Sequence, residues 1–133
     1  MNAGQGFSIP GVILAAVFLA APAAHAQGMG MGHKPEAKDV TVSGVVVDVS
    51  CKFGQGLTGD SHRMCAQVCA DRGIPLAILS DDGTLYIPTS AAMPGDGQNA
   101  RLKDFAEQRV TVKGRAFTAG GARALEVATI QRL

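Results

Sequence analysis

The chain has 133 residues, enough for one domain and no more. Hydrophobic residues make up 47% and charged residues 17%, a balance typical of a globular core and not of a disordered chain. The formal net charge is +1 and only 5% of the residues are aromatic. This combination argues against the basic, aromatic-rich surface on which single-stranded nucleic acid binds, so we expect no nucleic-acid partner.

The first 26 residues have the pattern of a secretory signal peptide. Residues 9–21 form an apolar run that is shorter than the roughly 20 residues needed to span a membrane. Ala24 and Ala26 then form a small-x-small cleavage signal before Gln27. We expect a periplasmic or secreted protein with no membrane span after cleavage. An uncleaved anchor is the alternative, because no Lys or Arg precedes the apolar run.

Residues 27–39 are predicted to form a flexible leader, since Gly, Lys and Pro give this segment little to bury. Met29, Met31 and His33 alternate with Gly in this segment. Thioether and imidazole groups are suitable copper ligands. A solvated, Gly-rich tail is nevertheless the favoured interpretation.

A mainly β domain is predicted over residues 40–133. Its first strand covers residues 40–51, and its apolar face switches at Gly44, which is typical of a β-bulge. Cys51 lies on the same face of the strand as the apolar residues that follow Gly44. We therefore expect its side chain to point inward at the far end of the strand.

A helix of about three turns is predicted over residues 61–73. Asp60 or Ser61 supplies its N-cap, and Gly73 supplies the left-handed residue at its end. Two strands joined by a turn follow, then a short helix and two more strands, the last with a face change between Leu125 and Ile130. The remaining segments are residues 75–80, 84–88, 101–108, 109–117 and 122–133.

The order of three strands, a helix and two strands resembles the OB-fold, a five-stranded Greek-key barrel. The resemblance covers residues 40–132 and rests on element order and strand phasing. The chain departs from that fold in having a helix between strands 1 and 2, where a plain loop is usual. It is also similar to small uncharacterised secreted bacterial proteins that combine an OB-like barrel with a Cys/His-bearing insert. That likeness implies no established activity.

All three cysteines lie close together in the chain, in the pattern C-x10-H-x2-C-x3-C. On a helix, the spacing of His62, Cys65 and Cys69 places them on one face, and Cys51 can meet that face from the strand. Three sulfurs and one nitrogen suit one tetrahedral zinc or copper ion. The sequence therefore predicts a metal site formed by Cys51, His62, Cys65 and Cys69.

Two other interpretations of the cysteines stay open. A disulfide from Cys51 to Cys65 or Cys69 would stabilise the domain by ~2–4 kcal/mol, leaving one thiol over. The protein would then be an interaction module whose partner is another periplasmic protein. A thiol-based redox protein is the third interpretation, although C-x3-C is not the usual redox spacing. No catalytic residue is predicted, and an enzyme is not the favoured class.

Overall fold

A computed structural model describes residues 35–133. The predicted signal peptide lies outside the described residues, as do Met29, Met31 and His33 of the predicted leader. None of the helices within residues 35–133 has the length and apolar character that crossing a membrane requires.

Five strands close into a barrel, which confirms the predicted fold class. The strands are β1 (Lys38–Asp48), β2 (Leu76–Ser80), β3 (Leu85–Thr89), β4 (Arg109–Ala119) and β5 (Ala122–Arg132). Their order around the barrel is β1-β2-β3-β5-β4, and β4 pairs with β1 to close it. The β3–β5 pair is parallel and the other pairs are antiparallel. This arrangement is compatible with an OB-like barrel.

Helical segments fill the two long connections of the barrel. Between β1 and β2 lie α1 (Val49–Gln55), a 3₁₀ turn (Asp60–His62) and α2 (Arg63–Asp71). Before β4 lie α3 (Asn99–Leu102) and a second 3₁₀ turn (Lys103–Phe105). A helix between the first two strands and a short helix before the fourth are both confirmed. Gly73 has a φ of 87° just after α2, as predicted for the end of that helix.

The core consists of side chains that alternate along the strands. Val110 and Val112 of β4 are fully buried, whereas Thr111 and Lys113 are not. Leu102, from α3, is buried in the same core. Removal of this apolar surface from water is the main stabilising term of the barrel.

Gly44 does not mark a bulge, so the predicted face switch in β1 is wrong. Val42 and Val46 are both buried, and the inward face continues through Gly44 between them. A Cβ atom at Gly44 would lie 2.2 Å from the carbonyl oxygen of Leu79 on β2. Glycine is needed here because the two backbones approach too closely for any side chain. Val47, on the opposite face, is buried as well, and α1 and α2 both pack against β1.

The predicted face change in β5 is confirmed, and its cause is a bulge. Lys113 of β4 pairs with Thr129, but the next residue, Gly114, pairs with Val127. Ala128 is therefore the extra residue of the bulge. The inward-facing residues of β5 are odd-numbered before Ala128 and even-numbered after it.

β1 ends at Asp48 and not at Cys51, so the prediction that Cys51 lies on the strand is wrong. The Asp48 side chain accepts a 3.0 Å hydrogen bond from the backbone N–H of Cys51 and caps α1. This cap starts a helix where the alternating pattern predicts more strand. The prediction that the Cys51 side chain is buried is confirmed, since it is 8% exposed.

The predicted N-cap at Asp60 or Ser61 is also wrong, because α2 begins only at Arg63. The His62 N–H donates to the carbonyl of Gly59, three residues earlier, at 2.9 Å. That spacing is typical of a 3₁₀ turn. His62 therefore precedes α2 instead of lying on it.

We expect Gly44→Ala to lower the free energy of unfolding by about 3 kcal/mol, because the new Cβ atom meets backbone and not a movable side chain. Gly54→Ala is the matched control. Nothing lies within 4 Å of a Cβ atom at Gly54, and alanine favours the helix there. Urea unfolding of both variants measures the difference. Equal midpoints would contradict the close approach of β1 and β2.

We expect the β2–β3 turn to add stability that depends on pH. The Ser80 hydroxyl, and after it the Thr84 backbone N–H, lower the pKa of Asp82 to about 2 from its ordinary 3.8. A lowered folded-state pKa adds stability above about pH 4 that is lost as pH falls towards 2. Asp82→Asn should therefore be less stable than the wild type near neutral pH, and the gap should close in acid.

Urea unfolding between about pH 2 and 7 measures the effect of Asp82→Asn. Asp96→Asn removes an exposed carboxylate from the loop before α3 and controls for the change in net charge. A gap between wild type and Asp82→Asn that stays constant with pH would contradict the assignment.

Candidate metal centre

The centre begins where β1 ends. Asp48 is fully buried and caps α1, which places Cys51 in the first turn of that helix. Because the Cys51 backbone N–H donates directly to the Asp48 carboxylate, the position of Cys51 relative to Asp48 is fixed. The end of β1 and the first turn of α1 thus supply one carboxylate and one thiol to the same buried position.

Three thiols converge from two helices. The sulfur atoms of Cys51, Cys65 and Cys69 all lie within 4.8 Å of one another. Cys65 and Cys69 are one turn apart on α2, and all three cysteines are free. Cys51 is buried, Cys69 is half-buried and Cys65 is exposed, so the group leads from the interior to the surface. Zinc bonds of about 2.3 Å require sulfurs about 4 Å apart, a small adjustment from this arrangement.

A second group of donors contains Cys51 as well. Ligand atoms of Asp48, Cys51 and His62 lie within 4.8 Å of one another, and all three residues are buried. The four predicted ligands thus fall into two overlapping groups, because His62 is grouped with Cys51 and not with Cys65 and Cys69. Asp48 is an additional donor that the sequence analysis did not identify.

Glu107 holds His62 in place and was also missed. Its Oε1 accepts from His62 Nδ1 at 3.2 Å, and its Oε2 accepts from the Thr58 hydroxyl at 3.1 Å and the Gly59 N–H at 2.8 Å. The Glu107 side chain is fully buried. Its backbone has a φ of 58°, and its N–H donates to the carbonyl of Val46 on β1. A carboxylate behind a histidine is the usual outer partner of a metal-binding imidazole.

Two buried polar atoms lack a hydrogen-bond partner within residues 35–133, namely Asp48 Oδ2 and His62 Nε2. Leaving a buried polar atom unpaired costs about 1–3 kcal/mol. Glu107 is a carboxylate and can only accept from Nδ1, so a neutral His62 ring carries its lone pair on Nε2. Both unpaired atoms are therefore electron-pair donors of the kind that binds a cation.

The charge in the centre is concentrated on Asp48. Burial alone would raise the pKa of Asp48, but the Cys51 N–H and the neighbouring thiols of Cys69 and Cys51 lower it overall. The adjacent Asp48 carboxylate, together with burial, raises the pKa of the Cys69 thiol to about 12. Burial, and after it Asp48, also raise the pKa of Cys51. A cation that neutralises Asp48 would displace these thiol protons.

Comparisons with protein-family models, with curated proteins and with solved structures find no match to this chain. The chemistry of the residues that the fold brings together therefore indicates the function. These residues come from β1, α1, the first 3₁₀ turn, α2 and the segment before β4.

We expect Glu107→Ala to lower the free energy of unfolding by about 3 kcal/mol, because it leaves the buried His62 ring and the part-buried Gly59 N–H without an acceptor. Glu126→Ala is the matched control, since that carboxylate pairs with Arg115 at the surface and should cost at most about 1 kcal/mol. Urea unfolding measures both. Equal losses would contradict the role of Glu107 as the support of His62.

Proposed function

We propose that this protein is a small exported metal-binding barrel whose three cysteines hold a soft ion, zinc or copper(I). The observation that carries the proposal is the convergence of Cys51, Cys65 and Cys69 within 4.8 Å from two separate helices. Thiolates are the ligands that zinc and copper(I) prefer. A nearby buried carboxylate adds to the negative charge that attracts a cation.

The exposure of Cys65 favours an ion that exchanges with the surroundings. A structural zinc site is closed by four protein ligands, whereas the three sulfurs here reach the surface at Cys65. Phe53, Met64 and Val68 are exposed apolar side chains on the two cysteine-bearing helices. Such a surface suits contact with a second periplasmic protein that gives or receives the ion.

The predicted signal peptide over residues 1–26 supports a periplasmic or secreted location. In an oxidising compartment, free thiols close together form disulfides unless something protects them. A bound ion supplies that protection, because a thiolate bound to a metal does not readily form a disulfide. Handling or sequestration of a soft metal is therefore the function that the centre supports best.

The test is elemental analysis of tag-free protein isolated from the periplasm, with intact mass and thiol counting on the same sample. We expect at least one equivalent of zinc or copper, with three thiols that react with an alkylating agent only after a chelator is added. Cys65→Ser and Cys69→Ser should bind the ion at least about 100-fold more weakly. Each removes a direct ligand, which costs more affinity than removing a residue that only hydrogen-bonds to a ligand. Met64→Leu, an exposed sulfur on the same helix, is the control and should bind normally.

A protein without metal, and with a mass lower by two hydrogens, would contradict the proposal. It would instead favour a disulfide-bonded interaction module, with one cysteine left free. A reversible change between those two masses on mild reduction would favour a thiol-based redox protein.

A further inference from the structure

We propose that Asp48 and His62 bind a second metal ion, a zinc ion, and that the Cys51 thiolate bridges it to the ion held by the three cysteines. The inference rests on the proposed metal-binding function and extends it. Cys51 is common to the two donor groups, and no set of four donors within residues 35–133 lies within 4.8 Å of one another. One ion therefore cannot reach all five donors as they stand.

Two unpartnered atoms carry the proposal. Asp48 Oδ2 and His62 Nε2 are both buried, and neither meets a hydrogen-bond donor in the described part of the chain. Both residues belong to the same group of close ligand atoms. A cation at their shared position with Cys51 satisfies both lone pairs at once, which no neighbouring protein group does.

Asp48 and His62 are each held in orientation by a hydrogen bond that does not use the atom proposed to bind the ion. Glu107 fixes the His62 ring through Nδ1 and is itself held by Thr58 and Gly59. Asp48 is fixed by its cap bond to α1. Because both ligands keep their orientation without an ion, binding costs little rearrangement.

The donor set indicates zinc at this position. A carboxylate oxygen, an imidazole nitrogen and a thiolate sulfur together suit zinc, whereas copper(I) prefers sulfur alone. Two zinc ions carry four positive charges, and the three thiolates and Asp48 carry four negative charges. The negative charge of Glu107 is stabilised separately, by the three hydrogen bonds that its carboxylate accepts. Two zinc ions would therefore make the centre neutral. Each thiol releases its proton to solvent when it binds zinc as a thiolate.

The placement of the donors fits a bridge. The Cys51 sulfur has Cys65 and Cys69 of α2 in one group, and Asp48 and His62 in the other. A thiolate that binds two zinc ions at about 2.3 Å each holds them about 3.5–4 Å apart, as in other two-metal sites.

The experiment counts zinc in the full mature protein by elemental analysis and native mass spectrometry. We expect two zinc ions in the wild type and one in His62→Gln and Asp48→Asn, with the second ion bound at least 100-fold more weakly. Asn caps helices as well as Asp does, so Asp48→Asn keeps α1. Asp96→Asn, which removes an exposed carboxylate, is the matched control for Asp48→Asn and should keep both ions. Circular dichroism confirms that each variant is folded.

Cobalt substitution tests the bridge itself. Two cobalt(II) ions joined by a thiolate couple magnetically, so the wild type should show a weakened electron paramagnetic resonance signal. His62→Gln, with one cobalt ion, should show the full signal of an isolated ion. A full, uncoupled signal from two ions in the wild type would overturn the bridge.

The remaining outcomes separate this inference from the proposed function. One zinc ion in the wild type, unaffected by His62→Gln but lost in Cys65→Ser, overturns the second site and leaves the three-cysteine site intact. One zinc ion that is lost in both variants shows a single mixed centre and also overturns the second site. No zinc or copper in any protein overturns the proposed function and, with it, the inference.

Discussion

The buried carboxylate of Asp48 determines how the rest of the centre is built. It ends β1 and begins α1 by accepting a hydrogen bond from the Cys51 N–H, and its second oxygen has no hydrogen-bond partner within residues 35–133. A fully buried anion is tolerated only where other groups offset its desolvation. In this chain the offset comes from the backbone N–H at the start of α1 and, in the proposed centre, from a bound metal ion.

Glu107 joins this insert to a distant part of the chain. Its side chain receives bonds from Thr58, Gly59 and His62, while its backbone donates to Val46 of β1. The segment before β4 thereby holds the 3₁₀ turn against the end of the first strand. Both the position of His62 and the direction of its free nitrogen depend on this contact, which spans 45 residues of sequence.

Several features could be predicted because they depend on neighbours in the chain. Alternating valines indicated β4, the face change in β5 indicated its bulge, and Gly73 indicated the end of α2. The spacing of Cys65 and Cys69 correctly placed them one turn apart on a helix. Each of these signals is a local pattern whose physical cause lies within a few residues.

Other features could not be predicted because their cause lies elsewhere in the fold. Gly44 looks like a bulge in sequence, but the backbone of β2 requires it. Asp48 looks like an exposed strand residue, and Glu107 looks like a polar residue in a turn. The sequence by itself determined the strands, the helix that carries two cysteines and the set of soft donors. Only the tertiary structure decided which donors meet, because the Asp48 cap places Cys51 on a helix and barrel closure brings Glu107 beside His62.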